Sequence, residues 1–434
     1  MKHIILTGAS LSSENKGINA LTLGAIASLI ENNPGIGIEI FNQDSDEDSE
    51  KSHDLLINGK KYSITEHYVW SSKFILSGLL HLVFFFLPGK LKEYLFVDKL
   101  KIFYALPVLL NKKWRKKKIY RNDRRLKELV NADYVINLAE GDSFSDIYGL
   151  HVFLRHSLDK YLAISHKRKL IIFPQTIGPF TSVPGKMLAK NVLRRADLVY
   201  IREDQSFNHV TDLCGSLPHF RPANDMAFLM SPEKVDNPEF DAFIKSGTIV
   251  GINVSGFLHD VSIGKDMILG SDVDYPRVTE RIIQTLLSFD RKVKIVFIPH
   301  VGIEDHPLSV KIAERLSHII PAERIYVVDS GYSAPQLKYL ISKLDFFTGA
   351  RMHSCIAALS TGVPTVPQAY SYKFKGITGK IGLDQYVIDL KKDTEEEMVD
   401  KLKNAYKNSA AITRHLHKVI PAIISEVREC GKLP

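Results

Sequence analysis

A chain of 434 residues is too long for one ordinary hydrophobic core, so two domains are the default. Its formal net charge of +8 suits an anionic small molecule, an anionic membrane face or nucleic acid and selects none of them. The three cysteines, Cys214, Cys355 and Cys430, are scattered without Cys-x-x-Cys spacing, which argues against a disulfide framework or zinc site and for a reducing, cytoplasmic compartment.

The chain opens on Ile4-Ile5-Leu6, too short for a signal peptide and of strand length. A polar loop over 8–19 and an apolar helix over 20–30 follow, the strand–loop–helix unit of a doubly wound fold. The loop carries Asn15-Lys16-Gly17-Ile18-Asn19 and not Gly-x-Gly-x-x-Gly, so the dinucleotide fingerprint is absent. Residues 43–51, acidic and Ser-rich, are expected to form a surface loop.

Residues 74–87 form the most apolar run, short of the roughly 20 residues that span a bilayer. A basic cluster follows over 112–118, with Arg121, Arg124 and Arg125 behind it. One reading of 74–125 is a buried helix and a solvated charged face. The other is a peripheral dock on an anionic membrane surface, a reading that Trp114 favours. A basic run without interleaved aromatics is a weak signal for nucleic acid, and none is expected as a partner.

From 134–138 the doubly wound rhythm returns, with further strands over 170–173 and 198–201. Residues 231–246, rich in Pro, Asp and Glu, are expected to be an interdomain linker. A second rhythm places strands at 249–254, 293–298, 325–328, 346–347 and 365–366, with helices between them and a mostly helical segment from 394. The expected architecture is α/β: two Rossmann-like doubly wound domains facing each other across a cleft. They cover 1–230, on the acceptor side, and 247–393, on the donor side, with a helical segment over 394–434. Polar loops at the carboxyl ends of parallel strands are where such sheets bind ligands.

The strongest chemistry lies at such an end. Arg351, Met352 and His353 stand where a strand hands over to a helix, so unpaired N–H groups and a helix dipole face whatever lies in front. An Arg there can hold an anion, and a His can move a proton. Arg202 opens a helix in the other domain and is expected to project into the crevice, so that two guanidiniums clamp a small anion. Glu140, Asp142, Ser143 and Asp146 suit sugar hydroxyls or a helix cap. His300 follows a strand and reads as a second acid/base or a loop residue; Lys373 reads as a phosphate contact or an exposed lysine. No metal-ligand pattern is present.

Several separated blocks together carry a resemblance: Asn15-x-Gly17, Gly141-Asp142-Ser143 through Asp146, Pro174-Gln175, Arg202-x-x-x-Ser206, Asn224-Asp225, Arg351-Met352-His353 and Tyr370-x-x-Lys373. The chain resembles the polysaccharide pyruvyl transferases over most of its length; Ala139-Glu140 stand where many members carry glycines. The resemblance implies a fold like the B-type glycosyltransferases, phosphoenolpyruvate as donor substrate with no further cofactor, and a glycan or lipid-linked oligosaccharide acceptor. It implies donor contacts at Arg202, Arg351 and Met352, with His353 as acid/base. Asn15, Gly17, Gly141, Asp142, Ser143, Asp146, Gln175, Asp225, Ser255, His300, Tyr370 and Lys373 complete the expected substrate-binding set. A nucleotide-sugar glycosyltransferase and a non-catalytic glycan-binding protein are the alternatives.

Overall fold

The central strands of both sheets are near-continuous apolar runs, the pattern of parallel strands covered on both faces. Ile4, Ile5 and Leu6 of β1 (His3–Thr7) are inaccessible to solvent, as are Val250 and Ile252 of β9 (Thr248–Asn253). The structure, a computed structural model, describes residues 2–42, 49–57, 59–68, 124–147, 149–259, 274–289 and 291–434. It divides into two compact units. The first comprises Met1–Leu11, Ala25–Asp225 and Glu429–Pro434; the second comprises Ser12–Gly24 and Met226–Arg428.

The sheet of the first unit has the order β3-β4-β2-β1-β5-β6-β7-β8. Its other strands are β2 (Gly37–Asn42), β3 (Ser49–Ile57), β4 (Lys60–Tyr68), β5 (Tyr134–Asn137), β6 (Lys169–Gln175), β7 (Leu198–Ile201) and β8 (Phe220–Pro222). Only β3 runs antiparallel, turning back on β4 with Ser49 opposite Tyr68 and Ile57 opposite Lys60. The second sheet has the order β11-β10-β9-β12-β13-β14, with β10 (Val293–Phe297), β11 (Ile325–Val327), β12 (Phe346–Gly349), β13 (Thr365–Ala369) and β14 (Ile388–Asp389), all parallel. In each sheet the winding reverses once, between β1 and β5 and between β9 and β12. Such a reversal leaves the loops on either side splayed apart, which makes it the natural ligand crevice of the sheet.

The boundaries differ from those expected in three places. The loop and first turns of the Lys16–Asn32 helix, Ser12–Gly24, belong to the second unit, where Gly24 packs so closely that an added Cβ would lie 1.9 Å from the Met226 carbonyl oxygen. The tail Glu429–Pro434 returns to the first unit, where the Tyr134 hydroxyl donates to the Pro434 carbonyl. The stretch 231–246 is not a free linker. Asn237 caps the Pro238–Phe243 helix, and Phe240 is fully buried in the core of the second unit, 5.6 Å from the Tyr326 ring. Residues 49–51 also depart from the expected loop by opening β3.

Residues 74–87, 112–118 and Arg121, which carry the expected membrane dock, lie outside the described residues, while Arg124 and Arg125 open the Arg124–Asn131 helix. Among the described residues no helix is long and apolar enough to cross a membrane. Replacing Phe240 by Ala leaves a cavity in the second core, and such truncations cost about 3–5 kcal/mol. Urea unfolding of Phe240→Ala is expected to show a loss of that size; a loss under about 0.5 kcal/mol, the usual effect of a surface substitution, would return 231–246 to a linker role.

Candidate active site

The switch point of the second sheet is held together by one carboxylate. Asn253 ends β9 and Gly349 ends β12, and the two are register partners. The Asn253 side chain accepts from the Arg351 backbone N–H at 2.9 Å and donates to the Ile298 carbonyl at 2.9 Å. Asp305, in the first turn of the Gly302–Ser317 helix, is fully buried. It accepts from the backbone N–H groups of Gly256 (3.0 Å), His300 (3.2 Å) and Val301 (3.0 Å). The same carboxylate takes the Arg351 guanidinium through Nε (3.2 Å) and Nη2 (2.7 Å), while Glu304 takes Nη2 at 2.5 Å. Arg351 Nη1 hydrogen-bonds to nothing among the described residues. One edge of the guanidinium is therefore fixed and the other remains for a ligand.

Arg351 is the N-cap of the Met352–Ser360 helix, in extended conformation, with its carbonyl accepting from the Ser354 hydroxyl at 2.7 Å. His353 thus lies in the first turn, beside the orphan N–H groups of the helix. A second helix end meets it there. Gly17, at the start of the Lys16–Asn32 helix, approaches so closely that a Cβ would stand 2.3 Å from His353 Nδ1. The Asn15 side chain accepts from the Gly17 N–H at 3.0 Å, Asn15 forms a β-bridge with Val301, and the Lys16 N–H donates to the His300 carbonyl at 3.1 Å. Two helix amino ends, a guanidinium and an imidazole thus converge. This donor set suits an anion carrying several oxygens better than a metal ion.

His300 is buried, and that burial, followed by the neighbouring His353, pushes its imidazole down to about 4. It is neutral at physiological pH. Ser255 is buried with its Oγ lacking any hydrogen-bond partner among the described residues, while its N–H donates to the Tyr275 hydroxyl at 3.1 Å. Burial pushes the Cys355 thiol up to about 12, so the cysteine nearest this site is a packing residue and no nucleophile. Met352 and Tyr370 are half-buried against the core of the second unit; Tyr370 stacks edge-on to Phe374. Lys373 lies half-buried near the start of the Tyr372–Ile381 helix.

The first unit places the other expected residues differently. Arg202 does not project into open space; it is fully buried. Its Nε donates to Glu203 (2.6 Å), Nη1 to Asp225 (2.6 Å), and Nη2 to Thr176 Oγ1 (2.7 Å) and the Gly141 carbonyl (3.1 Å). The adjacent carboxylates draw it inward, and Asp225 is consumed as its partner. Asp146 is also taken up internally, accepting from the N–H and hydroxyl groups of Thr181 and Ser182 at the start of the Val183–Arg195 helix. Burial would raise its pKa, but those hydrogen bonds outweigh burial and hold it below the usual range. Gln175 is buried and donates to the Asn137 and Phe173 carbonyls. Both Asp146 oxygens are thereby filled internally, whereas the Gln175 side-chain oxygen is buried without a hydrogen-bond partner among the described residues. Glu140, Gly141, Asp142 and Ser143 remain together in the loop after β5, where Ala139 (φ 41°) and Glu140 (φ 52°) hold a left-handed conformation that costs non-glycine residues energy.

Sequence reasoning missed Asp305, Asn253 and Glu304. A carboxylate in the first turn of a helix is ordinary complementation of the dipole, and nothing in the spacing from Arg351 marks it.

Two Rossmann-like units of parallel sheet, one with an anion-suited, histidine-bearing switch point, define the architecture of B-type glycosyltransferases. An α,α-trehalose-phosphate synthase (UDP-forming) of Burkholderia xenovorans is similar over 99% of this chain and 98% of its own, at a TM-score of 0.56 and 11% identity. MnaA of S. aureus, in a co-structure with UDP, matches at a TM-score of 0.52 and 11% identity, over 98% of this chain and 91% of its own. HepE of Anabaena, in complex with UDP and glucose, matches at 0.51 and 10%, over 99% of both chains. At such identities the likeness is one of fold. The chain matches the polysaccharide pyruvyl transferase family over residues 15–372 and belongs to it.

Two outcomes test this geometry. Because the folded chain resists protonating His300, the unfolded chain binds more protons between pH 6.5 and about 4. Stability is expected to fall as pH drops through that window, and less steeply in His300→Gln; equal slopes in urea titrations would place His300 in water. Gly17→Ala must displace the imidazole, so the ring resonances of His353 are expected to shift by NMR while urea stability changes little; unshifted resonances would separate the loop from the histidine.

Proposed function

We propose that the chain transfers the pyruvyl unit of phosphoenolpyruvate to two hydroxyls of a sugar in a surface-polysaccharide precursor, forming a cyclic ketal and releasing phosphate. The observation that carries this reading is Arg351, fixed along one edge by Asp305, with the His353 imidazole two residues on and a second helix end against it. Phosphoenolpyruvate brings a carboxylate and a phosphate close together, and this is the anion that a guanidinium and two helix amino ends match.

In the proposed chemistry His353, protonated, delivers its proton to the methylene carbon, turning it into a methyl group and leaving an oxocarbenium-like centre at C2. A sugar hydroxyl oxygen attacks C2 and gives its proton back to His353. The C2–O bond to phosphate then breaks as the second hydroxyl attacks, and that hydroxyl's proton leaves with phosphate. The two hydroxyl protons are thereby balanced, one on the new methyl group and one on phosphate, and no further cofactor is required. A nearby neutral His300 adds no competing positive charge, so the anion is shared between Arg351 and His353. We assign Asn15, Gly17, Met352, Ser255, Tyr370 and Lys373 to the donor surroundings and Glu140, Asp142 and Ser143 to the acceptor. Arg202 and Asp225 act indirectly, by holding Gly141. We place the reaction in the cytoplasm, with a lipid-linked glycan as acceptor and a peripheral contact with anionic membrane.

The test incubates the protein with phosphoenolpyruvate and a glycan panel and follows acceptor-dependent phosphate release together with the mass gain of a ketal. His353→Ala is expected to lower kcat by about 10²–10⁴-fold, the usual contribution of a general acid/base, and Arg351→Lys to raise the donor KM. Turnover of a nucleotide-sugar with none of phosphoenolpyruvate would overturn the reading.

A further inference from the structure

Three residues from distant parts of the sequence meet on one face of the first sheet. His3 opens β1, Glu39 lies in β2, and Glu128 belongs to the Arg124–Asn131 helix. Ile5 is the register partner of Glu39, so His3, two residues before Ile5, projects from the same face and stands diagonally across from Glu39. His67 of β4 continues the diagonal, its register partner being Phe41, two residues beyond Glu39. The helix covers this face, since Leu129 packs into one core with Ile5 and Phe41. One imidazole nitrogen and one carboxylate oxygen from each glutamate lie within 4.8 Å of one another.

The spacing is not that of a closed hydrogen-bond network. His3 Nε2 is shielded from solvent and hydrogen-bonds to nothing among the described residues. Glu39 Oε1 stands 3.6 Å from it, beyond hydrogen-bond reach. Two ligands each about 2.1 Å from a tetrahedral ion lie roughly 3.4 Å apart, so a gap too wide for a proton is the right width for a metal. The other Glu39 oxygen meets His67 Nε2 at 3.0 Å, an outer contact of the kind that steers a ligating carboxylate.

We propose that His3, Glu39 and Glu128 form a divalent-cation site, with water completing the coordination. One imidazole and two carboxylates suit zinc and its neighbours among the first-row metals, and the two carboxylates balance the charge of a dication. Bound there, the ion ties the Arg124–Asn131 helix to β1 and β2 and stabilises the first unit. The site uses no residue assigned to the transfer chemistry, so it stands or falls apart from that reading.

The experiment uses the full chain without an affinity tag, stripped of metal by chelator and dialysed. Zinc chloride is titrated by calorimetry, cobalt(II) by its visible absorption, and thermal unfolding is followed with and without zinc. One ion per chain is expected, together with a rise in Tm that grows with zinc concentration. Glu128→Gln, on the half-buried helix side, should match the wild type's Tm in chelator yet bind zinc at least about tenfold more weakly; even outer-shell changes cost about 10–100-fold in metal affinity. His67→Asn should weaken binding as an outer partner does. Absence of binding, or wild-type affinity in both Glu128→Gln and His3→Gln, would overturn the site.

Discussion

The second unit depends on the contact between a buried carboxylate and a guanidinium. Asp305 takes its charge out of water altogether, which is costly unless the charge is paired and its lone pairs are filled. It meets both conditions. Three backbone N–H groups, the Asn253 amide and Arg351 all turn toward it, from the end of β9 and the loops after β9, β10 and β12. Three strand ends that the sheet would leave splayed at its switch point are thereby tied to one side chain. Arg351 is held in place before any ligand arrives, so binding does not have to order it. The same knot fixes the backbone of His300, whose carbonyl receives the Lys16 N–H and so seats the Lys16–Asn32 helix against His353.

The first unit solves the same problem with the charges reversed. There the buried hub is a cation, Arg202, and the groups gathered around it are the Glu203 and Asp225 carboxylates, Thr176 and the Gly141 carbonyl. The loop it grips is the one in which Ala139 and Glu140 adopt left-handed conformations. Strain of that kind persists only where surrounding contacts over-determine it, and Gly8 contributes one such contact. A Cβ there would lie 2.5 Å from the Ala139 nitrogen, so glycine lets β1 and the β5 loop touch backbone to backbone.

Much of this was legible in the sequence, and the rest was hidden for identifiable reasons. Parallel strands announce themselves as unbroken apolar runs, so β1, β5, β9, β10 and β12 were readable, as was the placing of Arg351 and His353 at a strand-to-helix junction. The β3–β4 hairpin was not, because an edge strand such as Ser49–Ile57 is largely exposed and carries a polar sequence like that of a loop. The exchange of Ser12–Gly24 into the second unit is a tertiary choice with no local signature: the apolar residues of the Lys16–Asn32 helix describe its burial but not its partner. Burial was the other blind spot. Arg202 and Asp146 have the residue types of a binding site, and only the positions of their partners reveal that their polar atoms are spent internally.

In the proposed transfer a compact polyanion is held by the free edge of Arg351 within reach of the His353 imidazole. A crystal structure of the protein soaked with phosphoenolpyruvate tests it most directly. Carboxylate or phosphate oxygens are expected on Arg351 Nη1, with the methylene carbon facing His353 and the Asp305 contact undisturbed. Phosphoenolpyruvate bound elsewhere on the chain, with Arg351 and His353 untouched, would contradict it.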